Sequence, residues 1–337
     1  MRLSSALLTC GAGIVLARSL RHRFSRYDLL NKNVLITGGS RGLGLALARE
    51  FASQGGRVTI CARDLEELGR AKERLARDGF QVRTAICDIT QEISTTELVQ
   101  ELEASEGPLD VLVNNAGRIE VGPIETATTA DFELAMATHF WGPLNLIKAV
   151  MPGMQHRRDG HIVNISSIGG KIGVPHLAAY DASKFALAGY SEALAAEVRK
   201  HNIFVTTVYP GLMRTGSPRN ANFKSQHRKE YTWFTLSDSA PLITISAARA
   251  ARKIVNACRD GRASLTITPV AKVASLAHAL APDTVISALA MANRILPGPG
   301  GVGETNKKGR ESQTLLTRSP LTFLDKRAAA NLNQIVS

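Results

Sequence analysis

The sequence predicts an α/β fold with a doubly wound parallel sheet, formed by a single domain with a C-terminal helical extension. Short β-branched runs alternate with helical stretches, and a glycine-rich segment joins the first strand to the first helix. Apolar strands separated by amphipathic helices are typical of βαβ units, whose parallel sheet is covered on both faces. With 44% hydrophobic and 21% charged residues among 337, the composition excludes a disordered chain, a collagen-like fibre and a coiled-coil rod.

The alternating elements can be placed one by one, and together they define a domain over residues 31–268. We predict strands over Val34–Thr37, Val58–Cys61, Val82–Ile86, Val111–Val113, Ile162–Ile165, Phe204–Val208 and Leu265–Ile267. We predict helices over Gly44–Gln54, Asp64–Asp78, Thr95–Ser105, Asp131–Met154, Ala179–Lys200 and Ser246–Arg259.

The chain beyond the last strand has two parts. Two apolar helical stretches, Val270–Leu280 and Asp283–Leu296, form the extension over residues 269–297. They suit a protein that rests on a membrane and takes substrate from it, or they cover a dimer surface. The Gly-rich and polar remainder, residues 298–337, is predicted to be a mostly flexible tail.

Residues 1–30 combine an apolar run with a basic cluster. The run Leu3–Ala17 is shorter than the ~20 residues with which a helix crosses a bilayer. One interpretation is a membrane anchor or interfacial helix, with the arginines on the cytoplasmic lipid face. The other is an N-terminus that only packs on the body. The basic cluster consists of Arg18, Arg21, Arg23 and Arg26.

The net charge of +12 is concentrated outside the body of the domain. Residues 1–30 hold five arginines and one acid, residues 212–240 five basic and two acidic side chains, and residues 298–337 six and three. A nucleic-acid-binding protein would place Lys and Arg on its folded surface, so no nucleic-acid partner is predicted. Four cysteines without CxxC or Cys/His pairing predict a reducing, cytoplasmic compartment, no disulfide framework and no metal site.

A glycine-rich loop, Thr37–Gly44 (TGGSRGLG), connects the first strand to the first helix. Glycines let the backbone turn sharply and approach a pyrophosphate over the positive end of that helix. Such a loop can also be a mere tight turn. Its position at the start of a βαβ run favours cofactor binding. The spacing is TGxxxGxG, not the GxGxxG of most dinucleotide folds.

The end of the second strand indicates which dinucleotide binds. Ala62 stands where an acid would accept hydrogen bonds from a ribose 2′-hydroxyl, and Arg63 follows it. Arg41 could reach the same place, and two guanidiniums near one phosphate predict NADP(H), with NAD(H) less favoured. Alternatively, Arg63 is a solvated charge and Asp64 caps the next helix. Asp88, after the third strand, meets the adenine edge or caps a helix.

Three further side chains carry chemistry. Ser167 follows the fifth strand, and Tyr180 and Lys184 are separated by one helical turn, which places the ammonium beside the phenol. A phenol has an unperturbed pKa of ~10, and a nearby cation favours its ionised form. Tyr180 is therefore predicted to exchange a proton near neutral pH.

The motifs TGGSRGLG, Asn114–Gly117 (NNAG), a Ser thirteen residues before a Tyr, YxxxK and Pro210-Gly211 resemble, in this order, those of the short-chain dehydrogenase/reductase family. The resemblance covers Asn31–Ile267. It implies a Rossmann-type domain that transfers a hydride between NADP(H) and a carbonyl or secondary alcohol of a small, lipophilic substrate, in a homo-oligomer.

The resemblance also implies roles for single residues. Tyr180 is the acid in reduction and the base in oxidation, Ser167 stabilises the substrate oxygen, and Lys184 holds the nicotinamide ribose and lowers the Tyr180 pKa. The implied cofactor contacts are Gly38, Ser40, Arg41, Leu43, Gly44, Arg63, Asp88, Asn115, Tyr180, Lys184 and Thr215.

One position departs from the family pattern. Many members carry an Asn in an NxxG pattern that helps to position a water in a proton relay, and this chain has His139 there. An imidazole donates and accepts hydrogen bonds, so His139 either keeps a catalytic role in the relay or only packs. The second alternative fits a non-catalytic nucleotide-sensing or membrane-tethered scaffold protein with the same fold.

The segment between Leu212 and Pro241 is predicted to close over the substrate. Its aromatic residues could form an apolar wall with a basic rim, which suits a lipophilic substrate with an anionic end. A mobile lid without specific charges is the alternative. The aromatic residues are Phe223, Tyr231, Trp233 and Phe234, and the basic ones Arg214, Arg219, Lys224, Arg228 and Lys229.

Overall fold

The structure is a computed structural model that describes residues 26–241 and 243–335. The predicted anchor within residues 1–30 therefore lies almost entirely outside the described residues. The strands are β1 (Asn33–Thr37), β2 (Arg57–Ala62), β3 (Val82–Ile86), β4 (Val111–Asn114), β5 (Glu120–Val121), β6 (Gly160–Ile165), β7 (Ile203–Tyr209), β8 (Met213–Arg214), β9 (Asn222–Phe223), β10 (Ile245–Ser246), β11 (Ser264–Thr266) and β12 (Lys307–Lys308).

Most of the helices connect strands of the large sheet, and the last four follow its final strand. They are α1 (Gly42–Ser53), α2 (Leu65–Arg77), α3 (Glu92–Glu106), α4 (Thr129–Met136), α5 (Gly142–Arg157), α6 (Ala178–Val198), α7 (His227–Ser239), α8 (Ala247–Arg259), α9 (Pro269–Leu280), α10 (Pro282–Asn293), α11 (Leu315–Arg318) and α12 (Phe323–Asn331).

Seven strands form one parallel sheet in the order β11-β7-β6-β4-β1-β2-β3. The order reverses at β1 and β4, as in a doubly wound sheet, and this switch point is where such folds bind ligands. Apolar clusters fill both faces of the sheet, one under α1 and α8 and the other under α3, α5 and α6. The predicted fold is confirmed, because strands that are apolar throughout can be buried on both sides.

The predicted helix Asp131–Met154 is interrupted. Helix α4 ends at Met136, a π-helical turn occupies Ala137–Trp141, and α5 continues to Arg157. A π turn inserts an extra residue and changes which side chains face the core. It leaves His139 buried, while Trp141 is 51% exposed.

The predicted helical extension is present as α9 and α10, which form a hairpin that stands out from the body. No residue from Lys272 to Ile295 is buried. Among residues 26–241 and 243–335, no helix is both long and apolar enough to cross a bilayer. The large exposed apolar side chains of the hairpin are Val270, Val273, Leu276, Leu280, Ile286 and Met291, and Ile295 lies two residues after its end.

The prediction of a mostly flexible tail over 298–337 is wrong for its described part. Strand β12 pairs with β9 in a small sheet, and α12 contacts both α7 and β8. Gly216 donates its N–H to the buried carboxylate of Asp325 at 3.0 Å. The composition misled the prediction because this segment docks through a few polar and small residues rather than through an apolar stripe.

Candidate active site

A cavity of about 1110 Å³ opens at the carboxyl ends of the sheet strands. Its walls come from the glycine-rich loop, the ends of β2, β4 and β6, helix α6 and the segment after β7. Every predicted site residue lines it: Gly38, Ser40, Arg41, Leu43, Gly44, Arg63, Asp88, Asn115, His139, Ser167, Tyr180, Lys184 and Thr215.

The shape of the glycine-rich loop is fixed by Asn115. Its Nδ2 donates to the carbonyl oxygens of Thr37 at 2.9 Å and Gly38 at 3.2 Å. Gly38 has a φ of 61°, and a Cβ there would lie 2.8 Å from the Cα of Ala116. A Cβ on Gly44 would lie 2.1 Å from the Gly38 oxygen. The loop therefore requires glycine at both positions and brings bare backbone to the start of α1, where a pyrophosphate fits.

The two arginines predicted to bind a 2′-phosphate differ in their surroundings. Arg41 is paired with Glu67 through Nη1 and Oε1 at 2.7 Å. Arg63 is exposed, and no described residue forms an ion pair with it. Asp64 caps helix α2 by accepting from the N–H of Glu67 at 2.9 Å. This cap was predicted by the alternative interpretation, in which Arg63 is only a solvated charge. The cap does not involve Arg63, whose guanidinium therefore stays available to an anion.

Asp88 also caps a turn, because its Oδ1 accepts from the backbone N–H of Thr90 at 3.0 Å and from its hydroxyl at 2.8 Å. It still lines the cavity. The side chain of Thr215 sits on the opposite wall, where its Oγ1 accepts from the N–H of Ser217 at 3.3 Å. Both residues thus have structural hydrogen bonds as well as a place at the cavity wall.

Tyr180 and Lys184 lie one turn apart on α6, and the Lys184 Nζ is 5.7 Å from the centre of the Tyr180 ring. Lys184 donates to the carbonyl oxygen of Ile165 at 2.8 Å. Burial lowers the pKa of Lys184 to about 7. Ser167 stands at the cavity end of β6, where its hydroxyl accepts from the N–H of Gly169 at 3.1 Å.

The lowering of the Tyr180 pKa by Lys184 stays a prediction, and burial of the phenol opposes it. Burial raises the pKa of Tyr180 to about 12, opposed by a hydrogen bond with Ser167 and reinforced by Asp181 and Asp238. Desolvation of the phenol outweighs the other effects, and burial also disfavours the charge on Lys184 that would oppose it. The proton is therefore held on Tyr180, as an acid in reduction requires.

Two carboxyl groups that sequence reasoning missed also line the cavity. Asp181 accepts from the N–H of Val174, and burial raises its pKa to about 8. Burial and the nearby Asp325 raise the pKa of Asp238 well above its usual value. At neutral pH Asp181 is therefore mostly protonated and able to donate a hydrogen bond. The one sequence signal for a carboxyl group at the cavity was that Asp181 directly follows Tyr180.

His139 occupies the position of the family's relay Asn but uses both ring nitrogens in the protein. Its Nε2 accepts from the backbone N–H of Arg118 at 3.1 Å, and its Nδ1 lies 2.7 Å from the hydroxyl of Ser183. That hydroxyl donates to the carbonyl oxygen of Tyr180 at 2.6 Å, so the imidazole proton resides on Nδ1. Burial lowers the His139 pKa well below its usual value. The geometry supports the packing alternative, and the relay role stays a prediction.

The predicted lid splits into a cavity wall and a core behind it. Trp233 and Phe234 line the cavity, whereas Phe223 and Tyr231 pack behind them with ring centres 5.3 Å apart. The expected basic rim is wrong, because none of the five predicted basic residues lines the cavity. Lys224, for example, is buried in an ion pair with Asp131. The basic side chains that do line it are Arg41, Arg63, Arg118, Lys184 and Lys308.

The parallel sheet, the glycine-rich loop and the Ser–Tyr–Lys group at one edge define an oxidoreductase of the dinucleotide-binding α/β class. The short chain dehydrogenase family model matches residues 32–226. The chain therefore belongs to the short-chain dehydrogenase/reductase family, which confirms the predicted family.

Relatives and solved structures show what this chain is similar to. It is 41% identical over 189 residues to the 3-ketodihydrosphingosine reductase of Bacteroides thetaiotaomicron, a match that covers 56% of this chain and 66% of the relative. It is 34% identical over 260 residues to the fatty acyl-CoA reductase of Acinetobacter baylyi, covering 77% and 83%. A metagenomic short-chain oxidoreductase in complex with NADP has 36% identity and a TM-score of 0.52, covering 55% of this chain and 84% of its own.

Proposed function

We propose that this protein is an NADP(H)-dependent oxidoreductase that interconverts a carbonyl and a secondary alcohol. The observation that carries the proposal is that Ser167, Tyr180 and Lys184 share one cavity with the glycine-rich loop. The cradle fits a dinucleotide, since the loop brings bare backbone to the start of α1, and Cβ atoms at Gly38 and Gly44 would clash with the backbone and side chain that give the loop its shape. The unpaired guanidinium of Arg63 fits a 2′-phosphate, which supports NADP(H) over NAD(H), as does the NADP in the metagenomic relative.

The bound cofactor supplies or accepts a hydride at its nicotinamide. In reduction, Tyr180 would give its phenolic proton to the substrate oxygen, so the O–H bond of Tyr180 breaks and an O–H bond forms on the substrate as its carbonyl π bond is lost. Ser167 donates a hydrogen bond to the same oxygen and stabilises the charge that develops there. Lys184, with a pKa of about 7, is half protonated at neutral pH. Its charged form stabilises the phenolate that Tyr180 becomes when it gives up its proton.

A lipophilic substrate fits the other end of the cavity. Trp233 and Phe234 form an apolar wall there, together with Leu177 and Leu212. Burying apolar substrate surface against such a wall favours binding by about 25 cal/mol for each Å². The names of the two relatives refer to long-chain substrates, which supports the same class for this protein.

The test is NADPH oxidation with a panel of long-chain ketones and ketosteroids, each paired with a short water-soluble ketone. We expect turnover on a long-chain member, and we expect Tyr180→Phe to abolish it while NADPH still binds. Tight NADPH binding without turnover on any member would favour the non-catalytic alternative. Equal activity on the short partners would contradict the lipophilic class.

We also propose that the α9–α10 hairpin contacts a membrane on its cytoplasmic face. Apart from Ala271, every residue of both helices is at least partly exposed, and a dimer contact would cover only one side of them. The hairpin and Arg294 hold two cations and one anion besides His278, and further arginines lie in residues 1–26. This balance favours an anionic lipid surface. The hairpin starts beside the cavity, since Thr268 packs on Gly211, which lines it.

Vesicles of phosphatidylcholine, with and without phosphatidylglycerol, test this contact by co-sedimentation. Leu280→Asp changes a side chain that is 77% exposed on the hairpin, and Ile93→Asp changes one that is 75% exposed on α3. We expect only Leu280→Asp to release the protein from anionic vesicles. If instead it dissociates a homo-oligomer in solution, the hairpin is a contact between copies of the chain.

A further inference from the structure

The last described residues of the chain are joined to the glycine-rich loop. Asn333 is 3% exposed, and its Nδ2 donates to the carbonyl oxygens of Ser40 at 2.9 Å and Glu67 at 3.0 Å. The carbonyl oxygen of Leu332 accepts from the N–H of Gly42 at 2.9 Å. Asn333 has a φ of 57°, a left-handed conformation that Asn tolerates better than most residues. Three consecutive hydrogen bonds thus tie this segment to the loop and to α2.

The next residue, Gln334, lines the cavity with an oriented amide. Asn220 donates to its Oε1 at 2.6 Å, which fixes the oxygen away from the loop side. No described residue accepts a hydrogen bond from Nε2. Nε2 lies close to Gly42, since a Cβ built on Gly42 would be 2.9 Å from it. The segment therefore presents a free donor at the glycine-rich loop.

Gly42 is the first residue of α1. Its own N–H already donates to Leu332, and the N–H groups that follow it in the first turn of the helix attract anions such as a pyrophosphate. An amide donor beside them extends the same site. We infer that Leu332–Gln334 form a further part of the nucleotide site, in which Gln334 donates to the pyrophosphate and Asn333 is a positioning residue for the loop. The inference rests on the cofactor placement proposed above.

The experiment compares two ligands in Gln334→Ala. A hydrogen bond to a charged group is worth about a tenfold change in affinity, so we expect about tenfold weaker binding of NADPH in a fluorescence titration. Adenosine 2′-phosphate lacks the pyrophosphate, and its affinity should not change. Lys326→Ala, an exposed residue of α12 outside the cavity, is the control and should bind both ligands as the wild type does.

Asn333 is tested with Asn333→Gly, which keeps the left-handed backbone accessible and removes only the donors. We expect faster NADPH dissociation in stopped-flow measurements and a raised KM for NADPH with kcat little changed. Unchanged NADPH affinity in both folded variants would overturn the inference, as would tighter binding or an equal loss for both ligands in Gln334→Ala. Failure of the wild type to bind NADPH would instead overturn the proposed function.

Discussion

The imidazole of His139 packs edge-on against the ring of Tyr180, with ring centres 5.4 Å apart and planes at 85°. Through Ser183 the same imidazole is linked to the Tyr180 carbonyl, and through Arg118 to the loop after β4. His139 therefore holds the helix that carries the proposed acid. Its buried position gives it a structural role at a place where other family members use an amide side chain.

We predict that His139→Ala destabilises the protein by about 2–5 kcal/mol, since it leaves a cavity and two buried polar groups without partners. Chemical denaturation measures the loss. Because the His139 pKa lies well below its usual value, the activity of the wild type and of His139→Asn should show the same pH dependence between pH 6 and 8. An inflection present only in the wild type would restore the relay role.

Lys184 should make the protein less stable at low pH. Burial lowers its pKa to about 7, so between pH 7 and its unfolded value of ~10.4 the unfolded chain binds more protons, and the stability rises with pH. Lys184→Met removes this trend, which amounts to at most about 1.4 kcal/mol per pH unit. Its advantage over the wild type should therefore shrink from pH 7 to pH 10 in urea unfolding. Lys229→Met changes an exposed lysine of α7 and is the control; a parallel pH trend in both variants would contradict the prediction.

Asp181 should have the opposite effect to Lys184 on how the stability changes with pH. Its pKa is raised to about 8 in the folded protein, so the unfolded chain loses the proton first, and the wild-type stability falls as the pH rises from about 4 to 8. Asp181→Asn keeps an acceptor for the Val174 N–H and cannot ionise. Its melting temperature should exceed that of the wild type by more at pH 8 than at pH 5. A difference that is constant with pH would show that Asp181 ionises freely.

Docking of the C-terminal segment depends on Gly216. Its φ is 71°, and a Cβ there would lie 2.4 Å from the Cα of Ala329 in α12. Gly303 also has a positive φ, 58°, but a Cβ on it meets nothing within 4 Å. Both Ala variants incur backbone strain of about 1–2 kcal/mol, and only Gly216→Ala should also displace α12. Limited proteolysis should then cut residues 298–335 faster in Gly216→Ala, whereas rapid cleavage of the wild type would mean that the segment is free.

Local patterns were sufficient for the fold and for one half of the site. The strands are apolar throughout, the loop has glycines where close approaches require them, and Tyr180 and Lys184 are one turn apart on a helix. These features depend on neighbouring residues, so the sequence reveals them. The direction of the Tyr180 pKa shift depends on burial by distant segments, which no local pattern contains.

The errors share this physical cause. Lys224 is basic and lies in the predicted lid, yet its partner Asp131 is 93 residues away. Residues 298–335 are polar and Gly-rich, yet their hydrogen bonds reach residues near the start of the domain, such as Ser40 and Glu67. A contact made by one or two polar groups leaves no periodic signature, because its partner can lie anywhere in the sequence.

The hydrogen bond between Asn333 and Ser40 spans 293 positions of the chain. During synthesis, the strands of the sheet and the glycine-rich loop are therefore complete long before the ribosome adds Asn333, which hydrogen-bonds to the loop. Until residue 334 has emerged from the exit tunnel, the nascent chain holds the loop only by contacts within its first 115 residues, such as those of Asn115 and the Arg41–Glu67 pair. NADPH supplied during translation should consequently protect the completed polypeptide far better than chains stalled near residue 300.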